Sequence, residues 1–165
     1  MNYAQIRSMD ISNGEAIGVS IFVQGCPIHC KGCFNSEAWD FNGGKEWTEE
    51  KKNKLLELLN KPYISRFSVL GGEPLAKQNM QDICKLCKEI KDKYPEKRIW
   101  LYSGSQYESL SSEQFKVLLF VDVLVDGRYD ETLKNPSLKF RGSSNQRVIN
   151  IPETLKQNKV ILYCD

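Results

Sequence analysis

The residues of this chain best suited to chemistry are Cys26, Cys30 and Cys33, spaced CxxxCxxC directly after the largely apolar run 19–23. No fourth cysteine lies nearby. A structural zinc site closes with four ligands. A four-iron cluster held by three thiolates instead leaves one iron without a protein ligand. An open coordination position is where a small molecule binds and reacts, so the segment reads as a catalytic centre more than a structural staple. His29 is the only histidine and adjoins Cys30. It is too close in sequence to complete a tetrahedron with both flanking thiolates, and any Ser-His-Asp or Cys-His scheme would have to use a residue inside this loop. No catalytic acid or base is therefore assigned beyond the cofactor ligands. A zinc-bound interaction module built on Cys26, Cys30, Cys33 and one further ligand is the reading from a different class.

The other cysteines read differently. Cys84 and Cys87 have a CxxC spacing but share a helical stripe with Met80, Ile83 and Ile90, where free cysteine acts as a small hydrophobe. Cys164 adjoins the C-terminus and reads as incidental. With 165 residues the chain is expected to form one domain, 1–165, large enough for a real core. Its 23 basic and 21 acidic residues leave a formal charge of +2, which offers no electrostatic case for nucleic acid or a membrane surface. No signal-peptide pattern opens the chain, and no apolar run is long enough to span a bilayer. A cytosolic location is expected, where six cysteines read as metal ligands or free thiols and not as disulfides.

The elements that must position the cysteines follow an alternating pattern. Candidate strands are 17–24, 65–70, 98–103, 121–125, 146–151 and 159–163. Thr48 is a good N-cap for a helix carrying Leu55, Leu56, Leu58 and Leu59 and stopping before Pro62. A second helix is expected from about Gln78 to Tyr94. A third is opened by the capping-box pattern Ser111-Ser112-Glu113-Gln114. Short strands alternating with helices predict an α/β fold with about six mostly parallel strands. Four apolar runs end in a dipeptide with glycine second: Gln24-Gly25, Gly71-Gly72, Ser103-Gly104 and Asp126-Gly127. Ligands of parallel α/β folds bind at C-terminal strand ends, so these four ends are expected to share one site, with Ser103 and Gly104 included by position. The long polar stretch between Arg128 and Gln146 is expected to be functional as well.

Together, CxxxCxxC after the first candidate strand and Gly71-Gly72-Glu73-Pro74 after the second resemble the radical S-adenosylmethionine superfamily. Further stretches, among them Cys30-Lys31-Gly32-Cys33-Phe34-Asn35, Trp39-Asp40-Phe41-Asn42, Asp126-Gly127-Arg128 and 140–149, are similar to the family of activating proteins of the anaerobic ribonucleoside-triphosphate reductase. The resemblance covers nearly the whole chain. It implies an incomplete (β/α) barrel, with a [4Fe-4S] cluster and S-adenosyl-L-methionine as cofactors. It also implies reductive cleavage of the sulfonium to a 5′-deoxyadenosyl radical, and abstraction of a hydrogen from a glycine Cα of the reductase large subunit. A flavodoxin-like protein would be the electron donor. Position by position, Cys26, Cys30 and Cys33 would ligate the cluster. Gly32 and Phe34 would line the S-adenosylmethionine pocket, Gly71, Gly72 and Glu73 would meet its methionine amino end, and Asp126 and Arg128 would bind its carboxylate or a nearby cation. Activation of another glycyl-radical enzyme, such as pyruvate formate-lyase, is the alternative within enzymes. The chain departs from the family pattern at Glu15-Ala16-Ile17-Gly18, where members often carry Pro-Gly and an arginine.

Overall fold

A computed structural model describes all 165 residues. Along the chain run β1 (Asn2–Asp10), β2 (Gly18–Val23), β3 (Lys45–Glu46), α1 (Glu49–Leu59), β4 (Arg66–Gly71) and α2 (Met80–Lys93). They are followed by β5 (Arg98–Tyr102), α3 (Ser112–Leu118), β6 (Val123–Asp126), β7 (Arg147–Asn150), α4 (Ile151–Gln157) and β8 (Leu162–Cys164). All eight strands join one sheet in the order β3-β1-β2-β4-β5-β6-β7-β8. The central four, β2, β4, β5 and β6, are parallel, with Val19 beside Phe67, Phe67 beside Ile99, and Leu101 beside Leu124. Both flanks are antiparallel. The edge strands β3 and β8 do not pair with each other, so the sheet stays open.

The architecture is α/β as expected, but with eight strands instead of about six. The parallel sense holds only for the centre. β1 went unread because its sequence NYAQIRSMD is mostly polar and its exposure is mixed. It is held by pairing to β2 across a short connection, and such connections suit antiparallel neighbours. The expected strand 146–151 stops at Asn150, whose side chain accepts the Glu153 N–H and opens α4 with a proline in its first turn. Asn150-Ile151-Pro152-Glu153 is thus an N-cap signal at the end of an apolar run. Thr48 caps α1 by accepting the Lys51 N–H, and Ser111 and Gln114 form the expected reciprocal capping box of α3.

The central strands are buried on both faces, as parallel strands must be. One face carries Val19, Ile21, Phe67, Val69, Ile99, Leu101 and Leu124, packed under Leu55 and Leu59 of α1, Ile83, Leu86 and Ile90 of α2, and Leu118 of α3. Cys87 is fully buried in that core and Cys84 packs against it. Burial pushes both thiols above their ordinary range. The opposite face carries a smaller cluster of Trp100, Val123, Val125 and Val148, with Tyr102, Phe140 and Cys164 against it. Cys164 therefore has a packing role that its place near the C-terminus did not suggest. No helix is long and apolar enough to cross a membrane.

Candidate functional site

A cavity of about 460 Å³ opens over this second face of the sheet, within the size range of small-molecule sites. Phe22 of β2, Leu70 of β4, Tyr102 of β5 and Val125 of β6 contribute to its lining, so every parallel strand takes part. Above them come the strand ends: Cys26, Gly71, Gly72, Glu73, Ser103, Gly104 and Gly127 all line the same space. The glycine-ended strands thus face one site. Backbone bonds lock two of these ends together, the Gly72 N–H to Val23 O at 2.8 Å and the Glu73 N–H to Gly25 O at 2.8 Å. Gly71 has φ +106°, and a Cβ there would stand 2.8 Å from the Phe22 backbone. A Cβ on Gly72 would collide with the Gly25 carbonyl. Close approach of the first two strand ends therefore demands glycine at both positions.

Glu73 is 3% exposed. Its carboxylate accepts the Leu75 N–H at 2.9 Å, the Gly104 N–H at 2.7 Å and the Ser103 hydroxyl at 3.0 Å. Burial raises its pKa above the ordinary glutamate range, and these donors work the other way. Glu73, expected to meet a ligand, lines the cavity but spends its oxygens on its own chain. It acts as a buckle between the ends of β4 and β5.

The cysteine loop is tied down at its start by Gly25 N–H to Ala38 O at 2.6 Å and Cys26 N–H to Trp39 O at 3.0 Å. His29 takes a left-handed φ of +53°, and its ring stacks on Trp39 with centroids 4.4 Å apart and planes 8° from parallel. Cys26, Cys30 and Cys33 are free, partly exposed and line the one cavity. Burial pushes the Cys26 thiol up, while the backbone N–H groups of His29 and Ile28 favour its thiolate. The Asn35 N–H points at Cys33 Sγ at 3.4 Å.

The connection 127–146 supplies the far wall through Tyr129, Leu138, Phe140, Arg141, Gly142 and Gln146. Phe34 lines the cavity too and leans on Tyr129, with ring centroids 5.1 Å apart. Gly32, Asp126 and Arg128 are not among the residues that line this cavity. Gly32 has φ +75° and faces Glu131, whose carboxyl carbon a Cβ would approach to 2.9 Å. Asp126 is 1% exposed, and its carboxylate accepts from Arg147 Nε at 3.0 Å and from the Tyr107 N–H at 2.8 Å. Arg128 donates from Nη2 to Ile28 O at 2.9 Å, bracing the cysteine loop from outside.

The stretch Asp10-Ile11-Ser12-Asn13-Gly14 is similar to the family pattern, but sequence reasoning gave the 10–16 loop no part in the site, and Ser12 and Asn13 also line the cavity. Asp10 accepts the Ser12 N–H at 2.7 Å, the Asn13 N–H at 3.1 Å and the Ser20 hydroxyl at 2.5 Å. The fully buried Arg66 donates to the carbonyls of Asp10 at 2.5 Å, Asn13 at 2.9 Å and Glu15 at 3.0 Å. Burial lowers the Arg66 pKa, and the Asp10 charge opposes that shift. Arg66 pairs with Gly18 across the sheet, and a Cβ on Gly18 would lie 2.7 Å from Arg66 Cζ. The departure at 15–18 thus makes room for an arginine from the neighbouring strand. The only signal in the sequence was a lone arginine opening an otherwise apolar run.

Residues 12–149 match the family model described as a 4Fe-4S single cluster domain. The chain is 41% identical over 150 residues to the anaerobic ribonucleoside-triphosphate reductase-activating protein of Escherichia coli strain K12, covering 90% of this chain and 97% of that one. The protein of the same name from Enterobacteria phage T4 is 38% identical over 148 residues, covering 90% and 93%. That of Haemophilus influenzae is 34% identical over 148 residues, covering 88% and 96%. The chain belongs to the anaerobic ribonucleoside-triphosphate reductase-activating protein family. As a member of this family it carries a 4Fe-4S domain, and its cysteine loop and glycine-ended strands all fall inside the matched region. The residues present fit such a cluster. Cys26, Cys30 and Cys33 are free and line one cavity, and cysteine thiolates are the donors that hold iron–sulfur clusters. The amide N–H of Asn35 aimed at the Cys33 sulfur is the kind of outer support that tunes iron–sulfur centres.

Proposed function

We propose that this chain is a radical S-adenosylmethionine enzyme that installs a glycyl radical on the large subunit of an anaerobic ribonucleoside-triphosphate reductase. The observation that carries the reading is the meeting of three free cysteines and four glycine-bearing strand ends at one cavity, in a chain of the activating-protein family. The whole chain would act as one domain in the cytosol, an incomplete barrel whose open side admits a protein loop, and a flavodoxin-like protein would supply electrons. Cys26, Cys30 and Cys33 hold the [4Fe-4S] cluster in this reading.

When bound, the cluster and S-adenosylmethionine supply the electron and the 5′-deoxyadenosyl radical that removes a hydrogen atom from a glycine Cα. The chain's own residues bind, orient and exclude water. Gly71 and Gly72 let the ends of β2 and β4 close on one another, and the methionine end would lie along the backbone they present to the cavity. Glu73 is a positioning residue that holds Ser103 and Gly104 at the cavity rim. Arg128 and Asp126 act indirectly, Arg128 through the Ile28 carbonyl and Asp126 through Arg147. Phe22, Leu70, Val125 and Phe140 give apolar walls that keep water from a reactive radical. Hydrogen-atom transfer needs no general base, in keeping with the absence of an assigned acid–base residue.

The test is anaerobic reconstitution with iron and sulfide, then reduction in the presence of S-adenosylmethionine and the reductase. The expected result is 5′-deoxyadenosine together with a glycyl-radical EPR doublet on the reductase. A doublet on pyruvate formate-lyase and none on the reductase would refute the partner assignment. A protein that takes up one tight zinc ion and no cluster would refute the enzyme reading.

A further inference from the structure

Three buried side-chain polar atoms in the whole chain have no hydrogen-bond partner: Trp39 Nε1, Tyr102 Oη and Arg141 Nε. Two of the three belong to residues lining the same cavity. A buried donor left unpaired costs on the order of 1–3 kcal/mol, more when it is charged. Such groups in a functional cavity mark the place of a missing acceptor.

Their positions are set by their neighbours. Tyr102 shares its sheet face with Trp100, two residues earlier on β5. Burial pushes its hydroxyl up, and the Arg66 charge opposes that rise. Arg141 sits between Phe140, which packs on Trp100 with ring centroids 4.9 Å apart, and Gly142, where a Cβ would lie 3.3 Å from the Phe34 ring. The 140–142 strap thus crosses from the floor of the sheet to the cysteine loop, with Arg141 at its middle. Arg141 makes no ion pair, while Arg147, six residues on, is engaged by both Glu108 and Asp126.

Resting on the activating-enzyme reading, we propose that Tyr102 and Arg141 form the subsite that receives the main chain of the partner's glycine loop, each donating to a peptide carbonyl beside the target glycine. A glycine loop entering an apolar cavity brings carbonyls that must be satisfied there. It brings no side chain at its central residue, so recognition has to go through the backbone. A hydroxyl and a guanidinium supply the O–H and N–H donors that such carbonyls need. The Ser12 and Asn13 segment, fastened by Asp10 and Arg66, forms the facing rim.

The test uses full-length, cluster-reconstituted protein and a synthetic peptide carrying the glycine loop of the reductase. Peptide and S-adenosylmethionine affinities are titrated separately under anaerobic conditions in wild type, Tyr102→Phe, Arg141→Gln and Arg141→Lys. Tyr102→Phe keeps the ring and removes only an unpaired hydroxyl, so it folds. The peptide dissociation constant is expected to rise about fivefold in Tyr102→Phe and about 10- to 100-fold in Arg141→Gln, with partial recovery in Arg141→Lys. The S-adenosylmethionine dissociation constant is expected to stay within about twofold. A loss of S-adenosylmethionine affinity in step with peptide affinity overturns the proposal and assigns the two donors to the cofactor's carboxylate. Unmoved peptide affinity in all variants overturns it as well, while wild-type cleavage of S-adenosylmethionine leaves the parent reading standing. A wild type that neither cleaves S-adenosylmethionine nor binds the peptide removes both.

Discussion

The buried carboxylate of Glu73 accepts the backbone N–H of Gly104 at 2.7 Å, so a side chain, and not the sheet, joins the ends of two neighbouring parallel strands. Ladder hydrogen bonds between β4 and β5 stop at the Val69–Leu101 pair. Beyond that pair the strands are free to splay, and the cavity opens there. Glu73 sets how far they part.

Glu73→Ala should therefore loosen the rim without touching a cysteine. It leaves the Gly104 and Leu75 N–H groups and the Ser103 hydroxyl without their acceptor, a cost of about 2–4 kcal/mol. Urea unfolding should show that loss, with a weaker S-adenosylmethionine affinity and near-normal iron content. Unchanged stability would mean that water replaces the carboxylate and that the buckle is dispensable.

The cysteines divide by position. Cys30→Ala should give protein that stays colourless after reconstitution and makes no 5′-deoxyadenosine. Cys84→Ala should keep both properties, because Cys84 packs against the helix-covered core on the other face of the sheet. Iron analysis and the visible spectrum decide the matter, and equal loss in the two variants would overturn the division.

Arg66→Lys tests the loop that carries Ser12 and Asn13. An ammonium cannot span the carbonyls of Asp10, Asn13 and Glu15 that the planar guanidinium reaches together. A loss of roughly 2–4 kcal/mol is expected by chemical denaturation. A melting temperature equal to wild type would show that the loop is held by Asp10 alone.

Asp10 predicts an acid-sensitive stability. Burial raises its pKa, but hydrogen bonds from Ser20, Asn13 and Ser12 outweigh burial and hold it below its ordinary 3.8. The unfolded chain then binds the proton first. The stabilisation is full above that ordinary value and is lost as pH falls through the lower folded value. Comparing unfolding of wild type and Asp10→Asn between about pH 6 and pH 2 should show a shallower acid limb in the variant. Parallel limbs would assign the acid sensitivity to other carboxylates.

Much of the site was legible because its chemistry is local. Cys26, Cys30 and Cys33 sit on one loop, and a glycine after each apolar run marks where a strand stops. The helix caps Thr48 and Ser111 were readable for the same reason, since a cap involves residues three apart. β1 was not legible, because a polar strand is stabilised by its partner and not by its own pattern. Nor were the hydrogen-bond partners of Asp126 and Arg128. A sequence shows a charge, but not whether Arg147 or the Ile28 carbonyl will reach it first.

The sequence by itself determined three closely spaced cysteines with no fourth beside them, the α/β class and the strand ends that meet there. Spacing of ligands and periodicity of apolar residues are properties of neighbouring positions. Only the tertiary structure decided that the flanking strands run antiparallel and leave the sheet open. It alone revealed Arg66 filling the space over Gly18, and Tyr102 and Arg141 left as unpaired donors in the cavity wall. Those outcomes depend on which distant groups arrive together, and hydrogen-bond satisfaction in a buried space is settled only after the chain has closed around it.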